Sequence, residues 1–160
     1  MKNVNVSSLL IGLVLGVVLT GVVAWKMMPG MMIVEQKSKF PTVEETIQQL
    51  QASIVANGWI SPAVRDMNKS VEKMGFSIDK PVKIVELCKQ EYAADILTGN
   101  PEMATMLPCA WGVYTNEKGE VMISGMNMGL MGKMFGGNIA NIIGGKVAIE
   151  EHAILEKVVE

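Results

Sequence analysis

Sulfur is the first chemistry this sequence offers. Its 160 residues include 14 methionines but only two cysteines and one histidine. Cys88, in Glu86-Leu87-Cys88-Lys89-Gln90-Glu91-Tyr92, stands where an expected strand gives way to an expected helix. A thiol beside a helix N-terminus and a lysine is acidified and becomes a reactive thiolate. The plain alternative is a small buried apolar residue at a strand end. Cys109 follows Pro108 and shares a strand face with Trp111 and Val113, so it is expected to point inward. Three arrangements stay open for Cys88 and Cys109. They form a structural disulfide contributing about 3 kcal/mol if their Cα atoms lie within about 7 Å, a metal-binding thiolate pair, or two unrelated core residues. No C-x-x-C is present, so a thioredoxin-like centre is excluded.

Nine of the methionines fall in two clusters, one at Met27, Met28, Met31 and Met32 and the other at Met122, Met126, Met128, Met131 and Met134. Thioether sulfur is a soft ligand that suits Cu(I). It is also a pliable apolar filler, and neither cluster contains a His or Cys to complete a site. No cofactor is therefore expected, with copper kept as the alternative. The stretch Gly125 to Asn138 is nearly uncharged and Gly-rich, and Met126, Met128, Met131, Met134 and Phe135 are its candidate contact residues. It reads as a surface for a small apolar ligand, a membrane interface or a second subunit. The alternative is a loop folded back over the domain's own sheet.

Signals for enzyme chemistry are thin. His152 sits among Glu150, Glu151 and Glu156 and is expected to be a solvated helix residue. Glu44-Glu45 and Glu150-Glu151 are expected to be helix-surface charges. No Ser-His-Asp order, phosphate loop or paired metal motif is present, so a non-enzyme is the expectation. With 14 Lys+Arg against 16 Asp+Glu, a net charge of -2 and no basic run, nucleic acid is not an expected partner.

The elements that position these residues begin with Ser7 to Trp25, nineteen residues without a charge. The run predicts a transmembrane helix over residues 7–25, after a tail at 1–6, because a span needs about 20 apolar residues. Trp25 followed by Lys26 fits a membrane interface. The alternative is a signal peptide cleaved after Ala24, although the run exceeds the about 7–15 residues such a segment needs. Within the span, Ser8, Gly12, Gly16, Thr20 and Ala24 recur every four residues and form a small-residue seam of the kind that lets helices approach closely. A short N-terminal tail tends to stay in the cytoplasm. The remainder is accordingly expected in the periplasm or outside the cell, anchored to the inner membrane.

Met27-Met28-Pro29-Gly30 is expected to break the helix and open a juxtamembrane link over 26–39, with a possible first strand from Ile33. An α/β domain over 40–160 follows. Thr42-Val43-Glu44-Glu45 has capping-box spacing, and Val43, Ile47, Leu50 and Ile54 form one apolar stripe before Gly58. Trp59 to Met67 is strand-like but broken by Pro62, and Asn68 to Gly75 holds a helical turn or two. Val82 to Leu87 reads as a strand and Lys89 to Leu97 as a short helix. Leu107 to Thr115 and Glu120 to Met126 are strands joined by the turn Asn116-Glu117-Lys118-Gly119. The chain from Asn138 to Val159 is helical, kinked or split at Gly144-Gly145. The predicted class is α+β, a mainly antiparallel sheet with helices on one face, preceded by the transmembrane helix.

The stretch Glu86 to Ala94 with Cys88 and Glu91, the strand start Leu107-Pro108-Cys109, the hairpin around Lys118-Gly119-Glu120-Val121 and the run Met126-Asn127-Met128 resemble a bacterial family, domain of unknown function 302. The resemblance covers about residues 40 to 158. It implies a sheet with helices on one face, related to the TATA-binding-protein arrangement, and a tendency to form homodimers. It implies no activity and no DNA binding. The expected function is thus that of a membrane-anchored, non-enzymatic binding or accessory module, dimeric or paired with a membrane protein. The alternative is a thiol-based redox or copper-handling protein that uses Cys88 and Cys109.

Overall fold

The computed structural model describes residues 6–160, the side chains of residues 6–9 and 27–29 excepted. The chain divides into two units, the first ending at Met32 and the second running Ile33–Glu160. The tail expected at residues 1–6 lies outside the described residues save for Val6, which already belongs to helix α1, Val6–Met32. Pro29-Gly30 does not end this helix as expected: the backbone stays helical to Met32.

The transmembrane helix expected at 7–25 is corrected. Among the described residues, no helix is long and apolar enough to cross a membrane. Of the expected seam, Ser8's side chain lies outside the described residues. Gly12, Gly16, Thr20 and Ala24 line one shallow groove along α1, and Thr20 Oγ1 donates to the Gly16 carbonyl at 2.7 Å.

The second unit is an α+β fold around a five-stranded antiparallel sheet. Its strands are β1 (Ile33–Lys37), β2 (Val64–Asp66), β3 (Val82–Leu87), β4 (Cys109–Thr115) and β5 (Val121–Met126). They lie in the order β1-β5-β4-β3-β2. In β4, Cys109, Trp111 and Val113 are buried while Ala110, Gly112 and Tyr114 are less so, so the period-two pattern sets which face meets the core. Gly112 and Gly125 each face a cross-strand side chain. A Cβ on Gly125 would stand 2.4 Å from the Trp111 ring, so this glycine makes room for the indole of its pairing partner.

Helix α2 (Val43–Ala56) starts at Thr42, whose hydroxyl accepts from the Glu45 amide at 3.2 Å. Its stripe Val43, Ile47, Leu50 and Ile54 is buried, and it packs on β3, β4 and the C-terminal helix. Ser53 Oγ donates to the Ile154 carbonyl at 2.8 Å and so satisfies a buried hydroxyl. The short helix α3 (Met67–Glu72) is capped by Asp66, which also accepts from Lys83 Nζ at 3.1 Å. Helix α4 (Gln90–Gly99) and a 3-10 helix (Pro101–Met106) lead to β4.

The Gly-rich stretch after β5 is helix α5 (Met128–Phe135), capped by Asn127. It is followed by α6 (Gly137–Ile139), a π-helix (Ala140–Val147) and α7 (Ala148–Leu155). The widened π segment contains Gly144-Gly145, where a kink or split is expected from sequence. The five residues expected to form one contact surface do not share one exposed face. Met128 (7% exposed) and Met131 are buried against the unit's own core, and only Met126, Met134 (59%) and Phe135 face outward. Met128 and Met131 lie three apart on α5 and share its inner side.

Candidate functional site

Glu150, Glu151 and His152 occupy consecutive positions of α7. At about 100° per residue they must leave the helix in three directions, and the surroundings of each differ accordingly. The expectation that Glu150-Glu151 is a solvated charge pair is corrected for both.

Glu150 is a hub. Its Oε2 accepts from Trp59 Nε1 and from Lys89 Nζ, each at 2.7 Å, and its Oε1 accepts from the Tyr92 hydroxyl at 2.5 Å. Burial alone would raise its carboxyl, but the hydrogen bonds from Lys89, Tyr92 and Trp59 outweigh burial and hold it below the usual range. The same bond raises Lys89 and Tyr92. Lys89 and Lys146 lie over the Tyr92 ring at 4.9 and 5.4 Å. Two segments distant in sequence are thereby fastened to α7, the loop after α2 and the start of α4.

Glu151 turns inward and is only 6% exposed. Its Oε1 is buried with no hydrogen-bond partner among the described residues. Burial pushes its carboxyl up to about 8, so it holds a proton at neutral pH. The side chain lines a cavity of about 320 Å³ bounded by Trp111, Ile123 and Gly125 of the sheet, Val34 and Gln36 of β1, Met126, Met128, Ala148 and His152. The walls are mostly apolar, with a few polar groups converging on them, as in small-molecule sites. Exposed His152 stands at this cavity rather than at a purely solvated face.

A second, much smaller cavity of about 20 Å³ lies under α4. It is lined by both cysteines, by Met103 and Met106 of the 3-10 helix, by Met128, and by Trp59, Tyr92 and apolar residues of the core. Cys88 and Cys109 are free thiols, the first half-buried and the second buried. The expected acidification of Cys88 is corrected: burial raises its thiol, and Lys89, the cation meant to lower it, is spent on Glu150. Burial, above all, pushes Cys109 up to about 12. At neutral pH both sulfurs are protonated and weakly nucleophilic.

The sequence therefore points to Cys88 and Cys109, and the structure brings them to one cavity. It omits Glu151, Met103 and Met106, for which a helix-surface pair and a Pro-started turn give no local signal. Among the described residues, no three His, Cys, Asp or Glu side chains gather in a group able to hold a metal.

A family model described as domain of unknown function DUF302 matches residues 34–160. No curated protein matches the chain. A solved structure, that of an uncharacterized conserved DUF302 protein from Bacillus stearothermophilus, superimposes with a TM-score of 0.70 at 21% identity. The match covers 79% of this chain and 98% of that one. At this identity the similarity establishes the fold.

Proposed function

We propose that this chain, which belongs to the DUF302 family, is a non-enzymatic binding module that holds a small, mostly apolar ligand in the cavity beside Glu151. One observation carries this reading: a buried, protonated carboxylic acid with an unpartnered oxygen lines a cavity large enough for a ligand. Leaving such a group unpaired costs about 1–3 kcal/mol. A ligand bearing one polar head on an apolar body recovers that cost while covering Trp111, Ile123 and Met128.

The solvatochromic ketone 6-propionyl-2-dimethylaminonaphthalene tests the reading, because it joins an apolar ring system to one hydrogen-bond acceptor. Titration of the full chain is expected to shift its emission to the blue with saturation. Ala148→Phe, which fills the cavity from α7, is expected to weaken binding at least tenfold. Equal titration of both proteins would show adsorption elsewhere and remove the reading.

We extend the proposal to a homodimer joined along β1. This strand lies at the edge of the sheet with Ile33 and Val34 exposed, an arrangement open to pairing with a second strand. Sedimentation of the full chain as a monomer at all concentrations would eliminate this arm and leave the ligand cavity untouched.

A further inference from the structure

We propose that the small cavity under α4 is a binding site for a single soft monovalent metal ion, Cu(I), held by sulfur donors drawn from Cys88, Cys109, Met103, Met106 and Met128. Sulfur side chains from five positions line a cavity of about 20 Å³, near the volume that one water or one ion occupies. They come from four separate elements: the end of β3, the 3-10 helix, the start of β4 and α5. Their convergence is therefore a product of the fold rather than of a local sequence cluster. This inference is independent of the ligand cavity, although Met128 borders both.

Ligand type and charge select the metal. Thiolate and thioether donors suit Cu(I), whereas Mg, Ca and Mn want oxygen. An apolar pocket disfavours net charge. One thiolate neutralises a monovalent ion, while a zinc ion would require both thiols to ionise in the same dry space. In binding, the S–H bond of one cysteine breaks and its proton passes to solvent as the Cu–S bond forms. The thioethers donate lone pairs with no proton change, and copper stays in the +1 state throughout.

The test is a titration of the reduced full chain with Cu(I) against bicinchoninate, under ascorbate and without oxygen, with X-ray absorption on the loaded protein. One ion per chain with a sulfur-only first shell is expected. Cys88→Ser and the double variant Met103→Leu with Met106→Leu, which conserves core volume, are each expected to weaken binding at least tenfold. Equal copper transfer by either variant would place the ion on other methionines and overturn the proposal. So would nitrogen or oxygen donors in the first shell, or copper left wholly on bicinchoninate. The absorption result needs no variant and stands even if a substitution prevents folding.

Discussion

Gly132 of α5 lies backbone to backbone against Gly144 of the π-helix. A Cβ built on Gly132 would stand 2.3 Å from the Gly144 Cα, and one on Gly144 would stand 3.1 Å from the Gly132 Cα. The two helices meet without side chains between them, which is how a Gly-rich segment becomes core instead of surface. Met128 and Met131 are pressed inward as a result.

Gly132→Ala is consequently expected to destabilise the unit by about 1–3 kcal/mol, as overpacking does. Gly145→Ala meets nothing within 4 Å and is expected to be neutral or to stabilise by up to about 1 kcal/mol through helix propensity. Chemical denaturation of the two variants checks the pair, and equal effects would contradict the close contact.

Glu151 sets a pH dependence of stability. Its folded value of about 8 lies above the usual 4.5 for a glutamate, so the folded state binds a proton that the unfolded state releases. The contribution is fully present below about pH 4.5 and is lost as pH rises through about 8. It amounts to on the order of 5 kcal/mol across that window. Denaturation midpoints of wild type should fall from pH 5 to pH 8, and those of Glu151→Gln should stay flatter. Parallel curves would show that Glu151 does not carry the effect.

The Glu150 hub gives a graded series. Tyr92→Phe removes one hydrogen bond and is expected to cost about 1 kcal/mol, whereas Glu150→Leu leaves Lys89 and the Trp59 indole without their partner and should cost about 2–4 kcal/mol. Trp59 fluorescence is expected to respond to Glu150→Leu. Equal losses for the two would mean that the carboxylate joins fewer groups than it contacts.

Alkylation should separate the thiols. N-ethylmaleimide at pH 7 is expected to modify half-buried Cys88 slowly and Cys109 only after unfolding, because burial holds Cys109 near 12. Peptide mass mapping over time reads both rates, and rapid labelling of Cys109 in the native chain would contradict its burial.

Local patterns explain what the sequence makes visible. The alternation through Cys109, Trp111 and Val113, the cap at Thr42 and the turn at Asn116 to Gly119 each depend on neighbours a few residues away, and they appear where expected. The site depends on distant pairings. Nothing around Glu151 distinguishes it from Glu150, because a cavity built from β1, β4 and β5 decides which carboxylate is buried. Met103 and Met106 gain their role only when the 3-10 helix packs over Cys88 and Cys109. The long apolar run at residues 7–25 shows the opposite failure, since its composition alone led to the corrected membrane expectation.

The register of the sheet has a temporal consequence. Ile33 pairs with Met126 and Lys37 with Met122, so the first strand of the unit finds its neighbour only after β5 has been made. At about 5–20 residues per second, the ribosome leaves β1 without a partner for on the order of 10 s. Such distant closure also belongs to slow-folding, high-contact-order topologies. During that interval the strand's apolar Ile33 and Val34 stand open to other nascent chains. A cell making this protein is therefore expected to shield β1 or to keep few copies in synthesis at one time.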